Sequence, residues 1–193
     1  MFDTAAMLKI FAKHRGDAIV ISGRGGKHWI TMSDTALDIP LGDPAMGGHS
    51  GFGLGLAMAL PHRKIVLFDS EGDLQMSMGI LMTIAEQKPE NFYHFMLDNE
   101  CYATTGGQPV ANAKNVKYDQ LATGAGYPRA FAFDSLEKFE HALPDILEKK
   151  GPVFCALKVK PEVENEAIGN RVRWRKKSQV QVVTELKKEL QIA

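Results

Sequence analysis

Three acidic residues and one asparagine are the side chains of this sequence best suited to hold a metal ion. Asp69, Glu71 and Asp73 lie close together after one apolar segment, and Asn99 follows another. Mg²⁺ in proteins is typically bound by one or two carboxylates together with water and phosphate oxygens. A helix N-terminus also favours phosphate, so this strand-to-helix turn predicts a metal–diphosphate site. The alternative is that the acids only stabilise a helix N-terminus and that Asn99 belongs to a polar turn.

A glycine-rich stretch at residues 43–55 is a second candidate ligand loop. A glycine inside a helix costs about 1 kcal/mol relative to alanine. So many glycines are therefore expected where the backbone closely approaches a ligand or another element. The spacing is not the GxGxxG of dinucleotide-binding folds, and no strand immediately precedes it. A glycine-rich helix packed tightly on a sheet is the alternative.

The polar residues at 97–109 form a third candidate loop. Thr104 and Thr105 offer hydroxyl groups, and the two glycines after them offer backbone N–H groups, all of which suit an anion.

His49 is the best candidate for an acid–base catalyst, because it adjoins the glycine-rich loop and histidine titrates near neutral pH. A hydrogen-bonded structural histidine is the alternative. His28 and His94 are weaker candidates.

The elements that must position these loops alternate between strands and helices. Apolar, β-branched segments predict buried strands at residues 18–22, 64–69, 92–98, 130–133 and 153–159. Helical patterns occupy residues 4–14, 76–87, 135–149 and 178–192. The last helix is expected to be amphipathic, with Val180, Val183, Leu186 and Leu190 at helical spacing. The alternation predicts an α/β fold, a parallel β-sheet sandwiched by helices on both faces, with ligands at the carboxyl ends of the strands.

Composition and charge exclude several classes of protein. The 193 residues suit one domain at 1–160, with a C-terminal arm and helix at 161–193 that belong to the same unit. A formal net charge of zero argues against a nucleic-acid partner. No apolar run predicts a membrane span or a signal peptide. The two cysteines, Cys101 and Cys155, are far apart, which suits the cytoplasm and argues against zinc and iron–sulfur sites.

A basic run at residues 171–177 contains Trp174. We interpret it as a solvated face or a subunit contact. A nucleic-acid contact and an arm that reaches an anionic ligand are the alternatives.

Together the three loops resemble the diphosphate-binding domain of thiamine-diphosphate (TPP)-dependent 2-oxo acid decarboxylases. The signature of that family is GDG followed, after a spacer, by a pair of residues that ends in Asn, and Asp98-Asn99 supplies the pair here. Segments 46–60, 64–85 and 97–109 carry the likeness, which extends to about residue 160. It is strongest to the sulfopyruvate and phosphonopyruvate decarboxylases.

The acidic loop departs from the family pattern. Relatives typically read DGDGSLQMSLG, whereas residues 69–79 read DSEGDLQMSMG. A gapless register places Glu71 at the metal-binding aspartate and Asp73 where a serine usually approaches the diphosphate. The resemblance thus implies Glu71, Asn99 and the carbonyl of Cys101 as metal ligands, with Asp73 as the alternative to Glu71. Glutamate can bind Mg²⁺, but it is one methylene longer than aspartate, and the near-octahedral coordination shell of the ion must accommodate that methylene.

Other matching positions are expected to contact the cofactor. Met46 would hold TPP in its bent form, and the backbone around Pro44 and Met46 would meet the aminopyrimidine. The full set expected to bind the cofactor is Ser22, Gly23, Pro44, Met46, Gly47, Glu71, Gly72, Asp73, Asn99, Cys101, Tyr102 and Thr104. The loop at 104–108 suggests, by resemblance, a sulfonate or phosphonate tail on the substrate.

The resemblance implies a carbon–carbon lyase that uses TPP and Mg²⁺ to decarboxylate a small 2-oxo acid. In the family the catalytic glutamate comes from a pyrimidine-binding domain, for which this chain is too short. We therefore expect a partner α subunit that carries the glutamate, in a dimer or an α₂β₂ assembly, and little activity without it. A carboligase of the acetolactate synthase type and a non-catalytic TPP-fold binding protein are the alternatives.

Overall fold

The structure, a computed structural model, describes residues 1–23, 26–41, 46–170 and 176–192. The helices in this part of the chain are α1 (Thr4–Ala12), α2 (Trp29–Met32), α3 (His49–Ala59), α4 (Glu71–Met76), α5 (Ile80–Gln87), α6 (Tyr118–Ala125), α7 (Leu136–Glu148) and α8 (Gln179–Glu189). The strands are β1 (Ile19–Ser22), β2 (Asp38–Pro40), β3 (Ile65–Ser70), β4 (Phe92–Asp98), β5 (Cys101–Tyr102), β6 (Gln108–Pro109), β7 (Arg129–Phe133) and β8 (Val153–Lys158). All five predicted strands are present. The short elements α2, α6, β2, β5 and β6 were not predicted.

Six strands form one parallel sheet in the order β2-β1-β3-β4-β8-β7. The buried runs in β3 and β4 are typical of parallel strands that are covered on both faces. The predicted α/β fold with helices on both faces is therefore confirmed. Because the strands are parallel, the segments that follow β1, β3, β4 and β8 meet at one edge of the sheet.

Two hydrophobic clusters cover the two faces. On one face, α1 and α7 pack on side chains such as Phe68 and Phe95. Phe11 packs edge-on against Phe68, with ring centroids 5.0 Å apart. On the other face, α3, α5, α6 and α8 pack around Ile21, Leu67 and their neighbours.

Helix α3 explains the glycine-rich stretch in part. A Cβ atom on Gly53 would lie 2.7 Å from the ring of Phe92 in the sheet, so the helix can approach this closely only with glycine there. The alternative interpretation, a glycine-rich helix packed tightly on a sheet, holds for residues 49–59.

The prediction of one continuous helix at residues 76–87 is wrong, both in where the helix begins and in its being unbroken. The structure has two helices instead, because α4 begins at Glu71 directly after β3 and α5 begins only at Ile80. Ser70 causes the early start, since its hydroxyl accepts a hydrogen bond from the N–H of Asp73 and caps α4. The acidic residues thus lie within a helical turn rather than in an open loop.

The buried face predicted for the last helix is also partly wrong. Val182 and Leu186 are the buried residues of α8, whereas Val180 is 75% exposed and Val183 is 49% exposed. The helix packs against the edge strand β2, which covers only a narrow stripe of its surface. No helix in the described residues is long and apolar enough to cross a lipid bilayer.

Candidate cofactor and metal site

A cavity of about 380 Å³ opens where the predicted loops meet. Its wall includes Ser70, Gly72 and Asp73 from the end of β3 and the start of α4. Asn99 and the segment Cys101–Thr105 form a second side after β4. The sequence therefore predicted correctly that these two loops adjoin, at the carboxyl edge where α/β folds bind ligands.

Glu71 and Asn99 converge on one backbone group. The N–H of Cys101 donates to Oε1 of Glu71 at 3.1 Å and to Oδ1 of Asn99 at 2.9 Å. The two side-chain oxygens therefore lie beside each other, next to the residue whose carbonyl is the third expected ligand. A carboxylate oxygen, an amide oxygen and a backbone carbonyl are the hard ligands that Mg²⁺ and Ca²⁺ prefer.

The second carboxylate oxygen of Glu71 is buried and has no hydrogen-bond partner. The residue as a whole is fully buried. Burial, together with the charge of Asp98, raises the pKa of Glu71 to about 8. A buried carboxylate without a partner is costly, whereas a bound cation would stabilise its charge. These residues therefore fit a divalent cation.

Asp73 is engaged differently. Its carboxylate accepts a hydrogen bond from the N–H of Gly47 at 3.3 Å and lies 3.0 Å from Nδ1 of His49. Ser70 Oγ is 3.4 Å away. Asp73 thus ties the glycine-rich loop to α4, although it also lines the cavity.

Asp69 does not line the cavity. Its carboxylate nevertheless lies beside that of Asp73, because one oxygen of each and one ring nitrogen of His49 are all within 4.8 Å of one another. Asp69 is the penultimate residue of β3 and is buried. It accepts a hydrogen bond from Ser50 Oγ at 2.7 Å and lies 3.2 Å from Nε2 of His94. Although burial opposes ionisation, the neighbouring His49 and His94 hold the pKa of Asp69 well below its usual range.

His49 begins α3 beside the glycine-rich loop, as expected, but its ring is fully buried. It lies between Asp69 and Asp73, at 3.6 and 3.0 Å, and it is not part of the cavity wall. Despite its burial, the two carboxylates raise the pKa of His49 to about 9. Its catalytic role stays a prediction, and its contacts favour the structural alternative.

The loop before α3 has an unusual backbone. Met46 has a φ of 36° and Gly47 a φ of 91°, both in the left-handed region. A Cβ on Gly47 would lie 3.0 Å from the carbonyl oxygen of Asp73, so only glycine allows this approach to α4. Met46 is 64% exposed and lines the cavity. Pro44 lies outside the described residues.

Three further predicted residues also reach the cavity. Tyr102 and Thr104 line it with Cys101. The ring of Tyr102 packs over Gly72, where a Cβ would lie 3.0 Å from the ring carbons. Burial and the charges of Glu71 and Glu100 raise the pKa of the Cys101 thiol, which does not suit a nucleophile.

The structure does not bring Ser22 and Gly23 to the cavity wall. Ser22 ends β1 and is fully buried, with no hydrogen-bond partner for its hydroxyl among the described residues. Gly23 donates its N–H to the carbonyl of Phe68 at 3.0 Å.

Sequence reasoning missed most of the opposite wall. Lys27 and His28 follow β1, and Glu162 follows β8, and all three line the cavity. His28 was considered only as a weak acid–base candidate. The distance along the chain between these residues leaves no local signal for their contact.

Comparison with known proteins adds three findings. Residues 20–157 match the family model "Thiamine pyrophosphate enzyme, C-terminal TPP binding domain". Phosphonopyruvate decarboxylase of Streptomyces viridochromogenes is 31% identical over 159 residues, which are 81% of this chain and 39% of that protein. Sulfopyruvate decarboxylase subunit beta of Methanothermobacter thermautotrophicus is 39% identical over 117 residues, which are 61% of this chain and 60% of that protein.

The fold comparison agrees with these matches. A crystal structure from Mycobacterium smegmatis, described as a thiamin diphosphate-dependent enzyme, superposes with a TM-score of 0.69 at 20% identity. The match covers 83% of this chain and 32% of that one. The chain therefore spans between about a third and three fifths of these relatives.

Proposed function

The chain belongs to the thiamine pyrophosphate enzymes, whose C-terminal TPP binding domain it contains, and from this premise we propose that it is the diphosphate-binding subunit of a 2-oxo acid decarboxylase. The proposed substrate is a small 2-oxo acid of the sulfopyruvate or phosphonopyruvate kind. Both kinds appear in the names of the relatives.

The observation that carries this proposal is the shared contact of Glu71 and Asn99 with the N–H of Cys101. It supports Glu71, Asn99 and the Cys101 carbonyl as the ligands of Mg²⁺. The second carboxylate oxygen of Glu71 is buried and has no hydrogen-bond partner, so a cation bound there would stabilise its negative charge.

TPP, when bound, supplies the chemistry that breaks the bond between the 2-oxo carbon and the carboxylate. The described residues bind and orient it. Gly72 keeps the wall beside Tyr102 free of a side chain, and Thr104 offers a hydroxyl to the diphosphate. Asp73 and the buried His49 fix the backbone at Met46 and Gly47, and Met46 presents its side chain to the cavity.

We propose that a second polypeptide supplies the pyrimidine-binding domain and its catalytic glutamate. The relative from Methanothermobacter thermautotrophicus is named as a beta subunit, which supports a separate partner. A dimer of this chain with that subunit, or an α₂β₂ assembly, follows as the expected form.

An exposed apolar surface beside the cavity supports this partner. Met46, Phe52, Met76 and Met82 are between 44% and 64% exposed. The segments that carry them lie next to each other. A Cβ on Gly51 of α3 would lie 3.8 Å from Ile80 of α5, and a Cβ on Gly47, the neighbour of Met46, would lie 3.2 Å from Met76 of α4. Apolar surfaces of this kind commonly mark protein–protein contacts. Met46 and Met76 also line the cavity, so a partner bound here would cover the cofactor.

Both cysteines of the chain are free thiols. This is compatible with a reducing compartment, and we propose the cytoplasm as the location.

The proposal is tested by mixing the chain with a pyrimidine-domain subunit encoded by a neighbouring gene and measuring CO₂ released from sulfopyruvate and phosphonopyruvate with TPP and Mg²⁺. We expect release only from the mixture. Full activity of this chain alone would contradict the separate partner, and no release from either substrate by a mixture that forms a complex would contradict the decarboxylase.

A further inference from the structure

One wall of the cavity holds an ion-pair cluster between two distant parts of the chain. Nζ of Lys27 lies 3.0 Å from Oε2 of Glu162, and Nε2 of His28 lies 2.8 and 2.9 Å from the two carboxylate oxygens of Glu162. Glu164 also pairs with Lys27 at 3.2 Å. Lys27, His28 and Glu162 line the same cavity as Gly72 and Asn99.

The cluster already binds an anion, namely the carboxylate of Glu162. Although burial opposes both effects, the pairing lowers the pKa of Glu162 and raises the pKa of Lys27, so both groups are charged. A carboxylate held by an ammonium group and an imidazole N–H has the hydrogen-bonding needs of a phosphonate or sulfonate.

The loop at 104–108 is less suited to binding a phosphonate or sulfonate. The hydroxyl of Thr105 is engaged by the Tyr102 carbonyl at 3.3 Å and the Gln108 amide oxygen at 3.4 Å. The loop also carries no cationic side chain. Among the described residues, the lysines of the cavity wall are Lys27, which pairs with Glu162, and Lys160.

We propose that Lys27 and His28 form the subsite for the anionic tail of the substrate, and that Glu162 occupies this subsite in the free chain and is displaced when the substrate binds. The tail is a phosphonate or a sulfonate on a 2-oxo acid. This substrate class rests on the proposed function, whereas the anion subsite does not.

The displacement needs only a side-chain rotation. The backbone on both sides of Glu162 is anchored, because Lys160 donates its N–H to Phe2 and Glu164 donates its N–H to Ala103. The side chain of Glu162 is 36% exposed and therefore has solvent to turn into. Ion pairs with this exposure contribute little to stability, so exchange of one anion for another is inexpensive.

The test is a calorimetric titration of the full chain, without TPP, with methylphosphonate in one series and methanesulfonate in the other. We expect Glu162→Gln to bind at least one of these anions about fivefold or more tightly than wild type, since the internal competitor is removed. Lys27→Gln is expected to bind about fivefold or more weakly. The series that shows the effect identifies the tail.

Glu90→Gln is the matched control. It also removes one carboxylate–lysine pair, with Lys150 at 2.8 Å, but at an exposed position outside the cavity wall. It should bind as wild type does. Equal affinities of wild type and Glu162→Gln, wild-type affinity in Lys27→Gln, or no anion binding by any variant would overturn the subsite.

The outcome is separable from the proposed function. Tighter anion binding by Glu162→Gln, in a chain that forms a complex but releases no CO₂, would retain the subsite and refute the decarboxylase. CO₂ release by the complex, with no change in anion affinity in Glu162→Gln, would retain the decarboxylase and refute the subsite.

Discussion

Glu71 and Asn99 accept hydrogen bonds from the same backbone N–H, that of Cys101, although they follow different strands of the sheet. The contact places a buried carboxylate oxygen and an amide oxygen side by side. Asp73, the other candidate ligand, turns instead toward Gly47 and His49. The two acids of this turn therefore have separate surroundings: Glu71 lies at the proposed metal site, and Asp73 contacts the loop that precedes α3.

Replacing Asp73 with asparagine should lower stability. Asp73→Asn removes the charge that faces the buried His49 and weakens the bond to the Gly47 N–H. We expect the free energy of unfolding to fall by about 1–3 kcal/mol, measured by urea denaturation of the chain alone. Unchanged stability would show that Asp73 does not fix this loop.

The glycines of α3 provide a matched pair. Gly53→Ala would place a methyl group 2.7 Å from the buried Phe92 ring, so we expect a loss of about 1–3 kcal/mol. Gly55 faces open space in the same helix, and Gly55→Ala should stabilise the chain by about 0.5–1 kcal/mol. Thermal unfolding of both variants measures the difference. Equal effects would mean that α3 does not pack on the sheet as described.

The exposed apolar surface makes a prediction about assembly. Met82 is 62% exposed, so Met82→Glu should leave the fold of the chain intact. We expect it to weaken the complex with the pyrimidine-binding subunit by about tenfold or more, measured by sedimentation.

Val180→Glu is the control for that experiment, because Val180 is 75% exposed on α8 at the edge of the sheet beyond β2. It should bind the partner like wild type. If Met82→Glu also binds like wild type, the partner docks elsewhere.

Much of the fold was predictable because the strands are buried on both faces. Segments such as β3 and β4 are mostly apolar and buried along nearly their whole length, and the loops that follow them carry further polar residues. The parallel sheet then brings Glu71 and Asn99 together. Register with the family placed Glu71, rather than Asp73, at the ligand position, and the contacts of the two side chains support that choice.

The role of Asp69 was missed, although strand periodicity contained a signal for it. Alternate residues of β3 face the same side of the sheet. Asp69 therefore points to the same side as Leu67, which is covered by helices, and not into the cavity. His94 lies on that face of β4 and pairs with Asp69. Applied to β3, this alternation would have predicted that Asp69 points away from the cavity.

The wall formed by Lys27 and Glu162 was beyond sequence reasoning. Lys27 follows the second strand of the sheet order and Glu162 follows the fifth, and their contact depends on where two irregular segments lie. Neither segment has periodicity that predicts a position. Such contacts are determined by tertiary packing alone.

The most direct test of the proposed metal site is a titration of TPP, with and without Mg²⁺, into the complex of this chain with the proposed pyrimidine-binding subunit. Wild type should bind TPP in a Mg²⁺-dependent manner. Glu71→Gln should lose at least about tenfold in affinity for TPP with Mg²⁺, while Asp73→Asn keeps its Mg²⁺ dependence. Glu71 is not the metal ligand if Glu71→Gln binds TPP like wild type and Asp73→Asn loses the Mg²⁺ dependence, and the cofactor site itself is refuted if wild type binds no TPP at all.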